Sequence, residues 1–341
     1  MLYRIRRRLG SPRPFKKFLT RPAPSEIFEV PTEDGLTLVL RRVPPKGRPT
    51  GGPPIMLLHG LAANHRTFHF PRRSLAAWLS RRGHDVWLPN LRGHGDSPAH
   101  AYGWGIDEYL NYDIPAIIET ILRHSEADKI QWVGHSMGGI LLMCYGIRHD
   151  NPPIARGITL GSALDYKVGK TGFNQLLRLR PVIQKLVAFP FGTVTHLLSP
   201  LMGRGVSLVE GFNVWPSNIE PEMIREFHAS CFHTIPVSLL QSLATTFEPR
   251  GLKLKSGYCF VEEAADFPFP ILLVAGSKDA QVAVDAVHHT AELLGENARV
   301  HVRGKYQGDA DHYGHWDLII GRRAQREVWP SLAKWIEFTE P

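Results

Sequence analysis

"VGHSMGG", residues 133–139, stands at a seam in the chain. Before it runs "DKIQW" (128–132), the start of a short apolar β-like segment. After it runs "ILLMCYG" (140–146), which reads as a helix. An ordinary turn needs one glycine or two, yet here Gly134, Gly138 and Gly139 surround Ser136. Glycines on both sides of a serine mean that strand and helix approach too closely for side chains. A serine on such a sharp strand-to-helix turn has its hydroxyl pushed out above a sheet, where a nucleophile belongs.

Working outward, the neighbouring segments have the same rhythm. "IFEVPTEDGLTLVLRRV" (27–43) reads as a hairpin around Glu33-Asp34-Gly35. Short, nearly continuous apolar runs follow: "PIMLLHG" (54–60), "HDVWLPN" (84–90), "KIQWVGH" (129–135), "ARGITLG" (155–161), "PILLVAG" (270–276) and "ARVHVRG" (298–304). Continuous rather than alternating runs suit strands buried on both faces of a parallel sheet. Helix-like stretches separate most of them, including "RRSLAAWLSRRG", "DEYLNYDIPAIIETILRHS" and "VAVDAVHHTAELLGE". The pattern predicts an α/β fold, a mostly parallel twisted sheet with flanking helices, led by an antiparallel hairpin. Between Gly161 and Pro270 no clear buried strand occurs, and a structureless loop of that length is implausible. The expected organisation is a basic N-terminal tail (1–25), a first core part (26–164), a helical cap insertion (165–266) and a second core part (267–341).

A nucleophilic serine needs a base, the base an orienting carboxylate, and the oxyanion two backbone donors. The loop after "PIMLLHG" offers the Leu61 N–H as one donor, and Met137 beside the serine offers the other. "VAGSKDAQV" places Asp279 just beyond a strand, and "DADHYGHWDLIIG" carries His312 and His315 after the last strand. In open α/β sheets the reactive groups gather at these carboxyl ends. Residues alone leave His312 as a rival base and Asp165, after another strand, as a rival acid. "NLRGHGDSP" (90–98), with Asp96, reads as a tight structural loop. His65, His69, His288 and His289 lack metal-ligand spacing and read as surface or core histidines.

These motifs resemble the α/β-hydrolase family from about residue 26 onward. "DEYLNYDIPAIIETI" and "YGHWDLIIG" look like its acid-lipase branch, in which the catalytic histidine precedes a hydrophobic residue and an aspartate. The resemblance implies Ser136 as nucleophile, Asp279 as acid and His315 as base. Leu61 and Met137 then supply the oxyanion hole, and Asp317 packs or caps locally. It implies a serine hydrolase of carboxylic esters working through an acyl-enzyme without metal or organic cofactor; the apolar interval 166–209, which contains no acidic residue, adds an expected preference for medium or long acyl chains. Thioesterase, peptidase and acyltransferase chemistry also use serine on this fold, and a non-catalytic binding protein is the rival of a different class. The elbow departs from the branch, having methionine where acid lipases usually have glutamine after the serine.

Composition narrows the setting. The 341 residues are 43% hydrophobic and 21% charged, as in a soluble globular protein. Three widely spaced cysteines argue against a disulfide framework or a zinc site and fit a reducing compartment. Arg4, Arg6, Arg7, Arg8, Arg13, Lys16, Lys17 and Arg21 precede any acidic residue and account for the whole net charge of +8. No RNA or DNA motif accompanies them, so nucleic acid is not an expected partner. The start lacks the apolar stretch of a secretory signal. A cytoplasmic protein is expected, touching anionic membrane through this basic head, with organelle targeting as the alternative.

Overall fold

The computed structural model of the chain describes residues 15–98, 101–173, 180–204 and 208–338. Eight strands form the central sheet. They are β1 (Glu26–Pro31), β2 (Thr37–Val43), β3 (Ile55–Leu58), β4 (Val86–Asn90), β5 (Ile130–His135), β6 (Ile154–Leu160), β7 (Ile271–Gly276) and β8 (Ala298–Arg303). Their order is β1-β2-β4-β3-β5-β6-β7-β8. β1 and β2 form the expected antiparallel hairpin, and β2 also runs antiparallel to β4; every other pair is parallel. The apolar runs become strands buried on both faces: every residue of β3, β4, β5 and β7 is buried. Because the inner strands are parallel, their carboxyl ends lie along one edge. His59, Ser136, Gly161 and Ser277 all leave the sheet there.

Helices cover the faces: α1 (Leu75–Arg81), α2 (Ile114–Ser125), α3 (Met137–Arg148), α7 (Val284–Leu294) and α8 (Trp329–Glu337). A π-turn, Tyr109–Asp113, feeds α2 and buries the Asp113 carboxylate. Arg92 holds that carboxylate at 2.6 Å and also holds Asp34 of the hairpin turn at 2.7 Å. Burial pushes Asp113 up to about 6 even with Arg92 beside it. This network fixes the loop after β4, and Asp96 completes it by pairing with Arg41.

The interval between β6 and β7 is mainly helical: α4 (Phe191–Leu198), α5 (Pro221–Ser230) and α6 (Val237–Ala244). One short ladder, unforeseen in the sequence, pairs Ala188–Phe189 with Ile235–Pro236. These elements lie over the sheet's carboxyl edge. Trp316 N–H donates to Asn213 O at 2.9 Å, and Gln281 Nε2 to Phe212 O at 3.2 Å. Residues 15–25, placed in the tail from the sequence, run along α5. The Phe15 N–H donates to His196 Nε2 at 3.1 Å, and the Thr20 N–H to Ser230 Oγ at 3.1 Å. From the core side, Arg66 donates to Thr20 O at 2.8 Å and His69 Nε2 to Pro24 O at 3.0 Å. The head at 1–14 and the cap stretch 174–179 lie outside the described residues.

Candidate active site

Ser136 occupies the turn between β5 and α3 with φ 52° and ψ −120°. A non-glycine residue there is strained, and the strain persists only because its surroundings over-determine it. Its N–H is held by Leu160 O at 2.9 Å, and its carbonyl accepts from Ser162 Oγ at 2.8 Å. The flanking glycines have the expected cause. A Cβ on Gly134 would strike the Gly138 carbonyl, one on Gly138 the Leu58 carbonyl, and one on Gly139 the Ser162 hydroxyl. Ser136 itself is half-buried.

His315 reaches the same place from the loop after β8. Its Nδ1–H donates to Asp279 Oδ2 at 2.8 Å, with both side chains 1% exposed. The other Asp279 oxygen accepts the N–H groups of Gln281 and Val282 at 2.8 and 3.0 Å, so the carboxylate is fixed by its own loop. Gly161 lies against the pair: a Cβ there would sit 3.0 Å from both Asp279 Oδ2 and His315 Nδ1. His135, next to the serine, packs against His315 with ring centroids 4.5 Å apart and the rings tilted by 57°, and donates from Nε2 to its carbonyl at 3.2 Å. Burial, with His315 alongside, holds His135 well below the ordinary histidine range and therefore neutral. His315 Nε2 is buried and has no hydrogen-bond partner among the described residues. No hydrogen bond joins it to Ser136 among them; catalytic contacts of this kind often close only around substrate.

The rival residues are engaged elsewhere. His312 Nδ1 bonds Ser277 Oγ at 2.9 Å, and its ring meets Trp215 and Tyr306. Asp165 accepts from the Lys167 N–H at 2.9 Å and faces Lys167 Nζ and His289 at 3.5 Å. Asp317 does not reach the serine. It accepts from the N–H groups of Gly314 and Trp215 and from Asn218 Nδ2, tying the His315 loop to the cap, and burial pushes it up to about 7. On the donor side, a Cβ on Gly60 would sit 2.9 Å from Ser136 Cβ, so the Leu61 loop lies against the serine. Met137 opens α3, where an N–H has no intrahelical acceptor. Sequence reasoning missed His233 and gave Trp316 only as the hydrophobic residue between His315 and Asp317. Trp316 packs on His135, Phe227 and Phe232. His233, from the turn after α5, donates its N–H to Ala62 O at 2.8 Å.

A strained serine at a glycine-walled elbow and a buried carboxylate–histidine pair, on this strand order, are found in one large fold family. The family model described as "alpha/beta hydrolase fold" matches residues 53–321, and one described as "partial alpha/beta-hydrolase lipase region" matches 22–70. The chain belongs to the α/β-hydrolase family. Within it, the chain is 37% identical to mouse lipase member K, over 92% of this chain and 88% of that protein. It is 28% identical to mouse lipase member N, over 91% and 86%. The match to human gastric triacylglycerol lipase, at 32% identity, spans 50% of this chain and only 46% of that protein. Among solved structures, a thermophilic esterase from Thermogutta terrifontis superposes with a TM-score of 0.63 at 16% identity, covering 91% and 98% of the two chains. A monoacylglycerol lipase from Paleococcus ferrophilus does so at 0.60 and 18%, covering 88% and 98%. At such identities the likeness is one of fold.

Proposed function

We propose that the protein is a serine hydrolase of carboxylic esters, of the lipase type, acting on lipid-like esters of medium or long acyl chain. The observation that carries this reading is the His315–Asp279 pair, buried and 2.8 Å long, beside the strained elbow of Ser136. His315 Nε2 takes the Ser136 proton as Oγ attacks the ester carbonyl, while Asp279 steadies the imidazolium through Nδ1–H. The N–H groups of Leu61 and Met137 receive the oxyanion. The tetrahedral adduct collapses with the alcohol leaving on the proton from His315. Water, deprotonated by the same nitrogen, then releases the acid and restores Ser136. The sequence relatives named as lipases support the lipid-like substrate. So does the apolar cap, in which residues 166–209 contain no carboxylate.

The reading includes peripheral contact with anionic lipid. Half of the large apolar side chains found exposed among the described residues belong to one cap stretch: Leu186, Val187, Leu197 and Leu201. Lys185 is exposed beside the first two, and the basic head precedes the strap on α5. Apolar side chains among cations suit an anionic interface. One experiment tests the catalytic reading: reaction with a fluorophosphonate probe alongside a series of p-nitrophenyl esters. The protein is expected to label, Ser136→Ala to lose labelling and hydrolysis while keeping its melting temperature, and kcat/KM to rise from acetate to longer acyl groups. An inert parent would refute the enzyme, and a maximum at acetate would refute the lipid-like substrate.

A further inference from the structure

The turn that carries Leu61 is an awkward one. Ala63 N–H bonds Gly60 O at 3.2 Å, closing Gly60–Leu61–Ala62–Ala63, and Ala62 has φ 60°. Turns with positive φ at the third position favour glycine, because a Cβ costs about 1 kcal/mol or more there. From the core side, His59 Nδ1–H holds Gly60 O at 2.9 Å, and the hydrogen bond on Ala62 itself comes from the cap. The His233 N–H donates to Ala62 O at 2.8 Å. Two residues further on, the Asn64 amide nitrogen meets His233 Nε2 at 2.8 Å. Asn64 Oδ1 is committed to the Arg66 N–H at 2.9 Å, so it is the NH2 group that faces the ring. The Gly95 N–H, from the loop after β4, reaches the same Nε2 at 3.0 Å. Two donors converge on one nitrogen, so Nε2 is the acceptor and the ring is neutral.

We infer that His233 is the positioning residue of the oxyanion loop: from the cap, it fixes the turn that aims Leu61 N–H at the reacting carbonyl. The inference rests on the ester-hydrolase reading above. His233 touches neither Ser136 nor His315 in any described contact; it reaches the oxyanion loop through Ala62, Asn64 and Gly95, while its ring also meets His94 and its carbonyl accepts the Gly192 N–H. Its side chain joins the two loops that flank the nucleophile, and its backbone holds the strained residue. Donor placement matters because a preorganised donor stabilises charge only where that charge develops, and a displacement of about 1 Å can cost about 100-fold. Substrate binding away from the carbonyl is left unchanged, so the effect falls on the chemical step.

The test uses the full chain and p-nitrophenyl butyrate. His233→Ala is expected to lower kcat by about 10- to 100-fold with KM within about twofold, and to slow fluorophosphonate labelling in parallel. His233→Gln, whose Oε1 can stand where Nε2 stands and accept both N–H groups, is expected to restore most of the rate. His233→Phe, which fills the space without an acceptor, should behave like His233→Ala and serves in its place if the alanine variant does not fold. An unchanged kcat in His233→Ala and His233→Phe overturns the inference. So does a loss confined to KM, or a glutamine variant as slow as phenylalanine. A parent chain that neither hydrolyses nor labels overturns the functional reading first, and the positioning role with it.

Discussion

Two histidines three residues apart in one loop, His312 and His315, have different fates because of what each meets. His315 Nδ1 is taken by the buried Asp279 carboxylate, whereas His312 Nδ1 is taken by the Ser277 hydroxyl. Only the first arrangement stabilises an imidazolium, so His315→Ala is expected to lower kcat about 10³-fold or more. His312→Ala should cost under tenfold, and steady-state kinetics of the two variants would reverse the assignment if the order were opposite. The sequence placed Ser136, Asp279 and His315 together because each follows a parallel strand, and parallel strands end on one edge; the preference for His315 over His312 came from the resemblance, not from position. The choice of Asp279 over Asp165 could not be made from strand position alone. Both follow strands, and only the fold shows one engaged by His315 and the other by Lys167 and His289. His233 had no signal at all: an isolated histidine in a region of weak periodicity becomes meaningful only when Ala62 and Asn64 arrive beside it.

At the scale of elements, α5 is gripped by two adjacent arginines from the loop before α1. Arg72 is bidentate to Glu226 at 2.7 Å, and Arg73 holds Glu220 at 2.8 and 3.1 Å. Burial pushes the Glu220 carboxyl up, but the hydrogen bond and charge of Arg73 outweigh it and leave Glu220 below its ordinary value. A carboxylate depressed in the folded state stabilises it above the ordinary value of 4.5, and the gain is lost as pH falls through the lowered one. Arg73→Ala is expected to cost about 1 kcal/mol at neutral pH, since such pairs are partly exposed. Thermal melts should show that deficit shrinking below about pH 4.5; a deficit independent of pH would exclude the ion pair as its source. The core elements were read from the sequence because burial on two faces leaves continuous apolar runs. The cap was read only as helical: its two-residue ladder is too short to leave a pattern, and the arginine clasp joins residues about 150 apart.

At the scale of the whole molecule, charge and apolar exposure are uneven. The body is neutral, the excess is at the head, and the cap shows Leu186, Val187, Leu197 and Leu201 to solvent. No helix among the described residues is long and apolar enough to cross a membrane. Sedimentation with vesicles containing anionic lipid should recover the protein at low salt and release it at high salt, with little binding to neutral vesicles. Replacing Arg4, Arg6, Arg7 and Arg8 by Gln is expected to weaken that recovery by at least tenfold, since each cation contributes about 1 kcal/mol at an anionic surface. Unchanged recovery would remove the head from the interaction.

The strap along α5 also sets an order in time. Phe15 bonds a residue 181 positions later and Thr20 one 210 positions later. At about 5–20 residues per second, the ribosome delivers those partners roughly 10–40 s after the strap has emerged. Throughout that interval the N–H groups of Phe15 and Thr20 lack the cap acceptors they take in the folded chain. The first described segment of the protein is thus among the last able to take its place.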